Sequence, residues 1–167
     1  MMVTPEWVRL MAAYNAEMNA RFYAAAATLP AGELTRDRGA FFGSIQATLN
    51  HLLWADRVWM ARFAGWPKPA GGIRESVGLH AAFSELAEAR RQADGGIVAW
   101  AAALTPAALE GELRWFSGAA QREVSRPRGL LVAHLFNHQT HHRGQVHAML
   151  TAAGARTGDT DLWLVPG

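Results

Sequence analysis

His134-Leu-Phe-Asn-His-Gln-Thr-His-His-Arg-Gly-Gln-Val-His147 holds five of the chain's seven histidines. Read as a helix, with each residue turning about 100°, it places His138 and His142 about 40° apart on one face. Leu131, Leu135, Val146, Met149 and Leu150 share that arc, so the face turns toward a core. His134 and His141 fall at its edge, and His147 lies opposite. Two imidazoles one turn apart make half of a metal site, as in His-x3-His zinc enzymes. The helix opens at Pro127 and stops at Gly154, proline and glycine being suited to those ends.

Working outward, the other segments read as scaffold. Thr4-Pro5-Glu6 is a helix start, with a capping hydroxyl, proline in the first turn and an acid at the positive end of the dipole. Trp7, Leu10, Met11, Tyr14, Met18 and Phe22 recur at helical spacing, which predicts a first helix from Trp7 to about Thr28. Residues Ala31 to Gly39 read as a loop. A second helix runs from the cap Ser44 to Gly65, followed by a Trp66–Gly72 loop. A third covers Leu79 to Leu104, with a kink or break allowed at Gly95-Gly96. Thr105-Pro106 begins a short helical turn. Glu112–Phe116 and Gln121–Val124, with Ser117-Gly118 between them, form a hairpin-like excursion before the last helix. Leu162, Trp163 and Leu164 in the tail are expected to fold back over the helices. The fold class is all-α: a four-helix bundle with one short hairpin-like excursion, in a single domain over residues 1–167.

Composition narrows the function. The chain of 167 residues is half hydrophobic, with a formal charge of +2 and a single lysine, Lys68. That charge is too small to point to nucleic acid, and the arginines at Arg122, Arg126 and Arg128 read as a solvated cluster. No apolar run reaches the roughly 18 residues of a membrane span, and the N-terminus lacks the apolar core of a signal peptide, so a cytoplasmic protein is expected. The absence of cysteine excludes disulfides and thiolate ligands, and any soft nucleophile must come from a substrate.

The second helix supplies one more candidate. His51 shares its inward arc with Thr48, Leu52 and Trp59, while Gln46, Asn50 and Arg57 lie opposite. Two histidines from one helix and one from another make the three-histidine set of an open metal site. The other reading is three hydrogen-bonded core imidazoles, each needing partners for both ring nitrogens. Around them, Gln145 is positioned to reach a water on the metal or to stay on the surface. Asp56 either orients a ligand or pairs with an arginine. His134 supports the site or faces solvent, His80 faces solvent, and Gly144 suggests a closely packed neighbour. Asn137 and Arg143 sit on the rear flank, where they would bridge to loops.

With these residues in hand, the chain resembles the DinB/YfiT-like family of metal-dependent bacterial proteins. The resemblance rests on Gly43-Ser-Ile-Gln-Ala-Thr-Leu-Asn-His-Leu-Leu-Trp-Ala-Asp-Arg57, on His134–Val146, and on Tyr14-Asn15 with Asn19. It covers essentially the whole chain. It implies a divalent ion (zinc, nickel or iron) on His51, His138 and His142, and a tendency to form homodimers. It also implies, for some relatives, transfer reactions that use a low-molecular-weight thiol such as mycothiol, bacillithiol or glutathione. The expected function is therefore a metal-dependent, thiol-using S-transferase acting on a small-molecule substrate. The alternative is a non-catalytic, metal-stabilised stress protein that binds a ligand or partner. A dedicated hydrolase fits less well, because no carboxylate occupies a general-base position.

Overall fold

The structure is a computed structural model that describes residues 3–118 and 120–164. Four long helices carry it: α1 (Pro5–Ala27), α3 (Ile45–Ala64), α4 (Phe83–Ala103) and α5 (Arg128–Ala152), with a short α2 (Ala31–Thr35). Each long helix packs on two others, α1 and α3 both lying between α4 and α5. Strands β1 (Glu112–Ser117) and β2 (Arg122–Pro127) pair antiparallel, Trp115 facing Val124. The architecture is therefore mostly helical with a small two-stranded sheet, which lies where the sequence predicts a hairpin-like excursion before the last helix. No helix among the described residues is long and apolar enough to cross a membrane.

Local chemistry sets the helix ends. Thr4 accepts a hydrogen bond from the Trp7 amide, and Ser44 accepts one from Ala47. Gly65 ends α3 with φ 70°, a left-handed turn natural to glycine. Three expectations change. Residues Ala31–Thr35 are helical because Pro30 starts a turn that buries Leu34. The helix expected from Leu79 begins at Phe83, since Asn50 ties down the preceding segment by donating to His80 O and accepting from His80 N. Asn50 is thus buried under this connector instead of facing solvent. Leu162, Trp163 and Leu164 are exposed, Trp163 by 81%. The tail is anchored earlier, where the Tyr14 hydroxyl donates to Thr160 O at 2.6 Å and Arg21 donates to Asp159 O at 3.1 Å.

Helix α4 passes through Gly95-Gly96 unbroken. The glycine at 96 reflects packing: a Cβ there would lie 2.6 Å from the Trp66 ring. At Gly144, where a close neighbour was expected, a Cβ would have nothing within 4 Å. The two glycines should therefore respond oppositely to alanine. Gly96→Ala should destabilise by about 1–3 kcal/mol through overpacking. Gly144→Ala should stabilise by up to about 1 kcal/mol through helix propensity. Paired urea melts that moved both variants the same way would contradict this packing.

The core has three levels. Phe22, Leu49, Leu53, Leu86, Val146 and Leu150 belong to one apolar cluster, and Val8, Met60, Ile97, Val132 and Phe136 to another. Between them along every long helix runs a buried polar layer: Asn15 and Asn19 from α1, Asp56 from α3, Arg90 and Asp94 from α4, Gln139 and Arg143 from α5. Arg90 Nη1 donates to Asp56 Oδ2 at 2.7 Å, and Arg90 Nη2 lies 2.8 Å from Asp94. Asn19 donates to Asp94 at 3.0 Å, Gln139 to Asp56, and Arg143 to Asn15. Two carboxylates and two guanidiniums balance the layer's charge. Arg143 therefore lies inside, against α1, and not on the rear flank where the helical wheel put it, whereas Asn137 is exposed.

A three-histidine candidate metal centre

His51 on α3 and His138 and His142 on α5 come together at the seam of these two helices. Each offers one ring nitrogen lying within 4.8 Å of the other two. His51 is 4% exposed and His142 8%, while His138 is half-buried. The ring of His142 lies 4.6 Å from that of His138 and 5.1 Å from that of His51, centroid to centroid. The polar layer sets this convergence. Gln139 and Arg143 immediately follow His138 and His142, and their bonds to Asp56 and Asn15 fix the rotation of α5.

Hydrogen bonds choose the tautomers. Ser76 donates its hydroxyl to Ile73 O at 2.6 Å, so toward His51 Nδ1, 2.9 Å away, it acts as acceptor. His51 therefore carries its proton on Nδ1 and keeps a lone pair on Nε2. His142 Nδ1 donates to Gln145 Oε1 at 2.8 Å, which frees its Nε2 in the same way. His51 Nε2 lies 3.2 Å from His138 Nε2. Two nitrogens sharing a tetrahedral zinc at about 2.0–2.1 Å would lie roughly 3.3 Å apart. Burial, reinforced by His142, pushes the His51 imidazole down to about 4. Burial and the neighbouring histidines push His138 down to about 3. Both are neutral at pH 7, the form that ligates. The residues present fit a divalent ion with imidazole preference, and the group includes no carboxylate.

The supporting residues are distributed differently from expectation. Gln145 holds His142 by accepting from its Nδ1. Asp56 makes no hydrogen bond to a histidine; its carboxylate is taken by Arg90 and Gln139, the arginine-pairing alternative. His134 is exposed, with its ring 5.8 Å from that of His138 and 5.2 Å from that of Trp59. His141 is exposed, and His147 packs half-buried on Phe22 at 5.4 Å. His80 sits half-buried in the connector before α4.

Two contributors escaped sequence reasoning. Ser76 lies in a 3-10 turn, Glu75–Gly78, that no periodicity marks, yet the turn packs on α3. Phe42 stacks on His51 with ring centroids 4.0 Å apart and covers one side of the site. Its only signal was two adjacent phenylalanines in an otherwise polar segment. Ser76→Ala should weaken metal binding about 10–100-fold, the usual cost of removing a ligand's orienting partner. A chelator competition titration showing unchanged affinity would remove Ser76 from the site.

A DinB-like protein from Bacillus cereus, known from its crystal structure, superposes with a TM-score of 0.63 over 85% of this chain and 89% of that one. The two share 17% sequence identity, so the likeness speaks for the fold. No protein of curated function matches the sequence. The DinB family's sequence profile matches residues 1–166, and with its histidine-bearing helices α3 and α5 inside that match the chain belongs to the DinB family.

Proposed function

We propose that His51, His138 and His142 hold a divalent ion, zinc, nickel or iron, and that the protein is an S-transferase using a low-molecular-weight thiol as cosubstrate. The observation that carries this reading is the ligand set itself. Two of the three rings have their Nδ1 atoms occupied by neutral acceptors, all three present a nitrogen to one point, and no carboxylate belongs to the group. Three neutral ligands leave the full charge of the ion available, which lowers the pKa of a thiol and favours its anion. The chain has no cysteine to compete for the ion, so the sulfur nucleophile belongs to the cosubstrate. Ser76 and Gln145 hold two rings in orientation, and Phe42 keeps water from the His51 side.

The test is turnover of an activated aryl halide with glutathione, bacillithiol and mycothiol in turn, on metal-loaded protein. At least one thiol should react faster than its uncatalysed rate, and His142→Ala should abolish the excess. No excess rate with any thiol would contradict the transferase reading. A second reading, a non-catalytic metal-stabilised binding protein, draws on the way the histidines bridge α3 and α5. Under it, a chelator lowers the thermal midpoint while no thiol is consumed.

A further inference from the structure

Helices α1 and α4 pack together with small residues along their outer edges. Ala16 and Ala20, one turn apart on α1, and Ala87 on α4 each contribute a single methyl, and Gly95 contributes nothing. The groove between the helices is therefore left open as a cleft of about 450 Å³. That is within the roughly 300–1,000 Å³ of small-molecule sites. None of the three histidines lines it. A Cβ at Gly95 would have nothing within 4 Å, so close packing does not call for glycine there as it does at Gly96. The residue costs α4 helix stability and keeps this wall of the cleft low.

The floor of the cleft belongs to the buried polar layer. Asn19, Tyr23, Arg90 and Asp94 line it, none more than 8% exposed. Asp94 Oδ1 accepts from the Asn19 amide at 3.0 Å and meets Arg90 Nη2 at 2.8 Å, while its Oδ2 has no hydrogen bond among the described residues. The Tyr23 hydroxyl has no partner either, and the charges of Arg90 and Asp94 both reach it. Arg90 is shared between Asp94 and Asp56, so these three groups carry one negative charge in excess. Arg143 bonds Asn15 instead of a carboxylate. Asp56 is fully buried, which leaves Asp94 as the carboxylate that reaches the cleft. At the rim, Arg91 is already paired with Glu88 at 2.6 Å. Burial pushes the Asp94 carboxyl up to about 6 against the pull of Arg90, the mark of an anion short of solvent and donors.

We propose that this cleft binds a small organic amine, its ammonium group donating to Asp94 and its apolar body lying between Ala16, Ala20 and Ala87. An ammonium brings three N–H donors and no acceptor, and the floor offers a carboxylate oxygen and a phenol oxygen that both lack a donor. An anionic head would add to the excess negative charge. The alanine walls offer contact with carbon and no hydrogen bonds, which suits a flat ring system and not a polyol.

Calorimetric titration of the purified protein with 1-naphthylmethylamine tests this, with 1-naphthalenemethanol as the uncharged analogue. One amine should bind per chain, and the alcohol about tenfold more weakly, because it lacks the charge that strengthens a hydrogen bond to a carboxylate. Asp94→Asn should bring the amine down to the affinity of the alcohol. Gly95→Leu has room to extend into the cleft, so it should melt cooperatively at or above the wild-type midpoint and bind neither compound. No binding of the amine to wild type, or equal affinity for amine and alcohol, overturns the proposal. Amine binding that survives Gly95→Leu lies elsewhere on the protein and overturns it too.

Discussion

Asp56→Ala should lower the stability of the fold by about 3 kcal/mol, the lower end of the cost of breaking a buried ion pair, since Arg90 keeps Asp94. Asp56 is fully buried and bonds Arg90 at 2.7 Å from α4 and Gln139 from α5, the two helices that flank α3. The alanine variant leaves the Gln139 amide without its acceptor and the Arg90 guanidinium with Asp94 as its remaining carboxylate in the interior. For a chain of this length the thermal midpoint should fall by about 10 °C. Asp56→Asn keeps the size and part of the hydrogen bonding and should lie between the two. Calorimetric scans of the three proteins decide it. A fall of only a degree or two in Asp56→Ala would mean that the polar layer is not the constraint proposed. The same variant should also bind metal more weakly, because Gln139 no longer fixes the rotation of α5 next to His138.

His138→Ala should weaken metal binding by about a thousandfold. Structural zinc sites gain about 10–16 kcal/mol from roughly four ligands, so losing one costs on the order of 4 kcal/mol. His138 is central to the set, its Nε2 being the nitrogen that faces His51 at 3.2 Å. Competition against a chromophoric chelator gives the affinity of both proteins. A change of less than tenfold would exclude His138 as a ligand. The sign of the pH dependence also follows. His51 is held at about 4 against an ordinary value near 6.5. The neutral form is therefore native, and the stability that depends on it is present above pH 6.5. It is lost as the pH falls from there toward 4, because the unfolded chain gains protons that the folded chain refuses.

The fold and the histidine triad were legible for one reason: helical periodicity converts spacing into direction. The wheel turned His51, His138 and His142 toward a common interior from three numbers and the neighbouring leucines. Ser44 and Gly65 marked the bounds of α3 by cap chemistry alone. What stayed illegible depends on pairing across elements. Arg90 and Gln139 carry no mark in their own helices, Arg143 reads as a bridge to loops, and Asp56 reads as an arginine's partner with no arginine singled out. Only packing aligns them at one level between two apolar clusters. The glycine at 96 is likewise unreadable until Trp66 folds back on α4. Ser76 reaches His51 through a connector whose path rests on Asn50, a residue that the wheel had assigned to solvent. Helix α2, five residues long, is too short for periodicity to register.

The central claim is that three histidines from α3 and α5 hold one ion. It is tested most directly by the metal content of the purified protein, measured by mass spectrometry beside that of His51→Ala. One divalent ion per wild-type chain is expected, and less than a tenth of that in the variant after the same dialysis. Stoichiometric metal surviving in His51→Ala would contradict it.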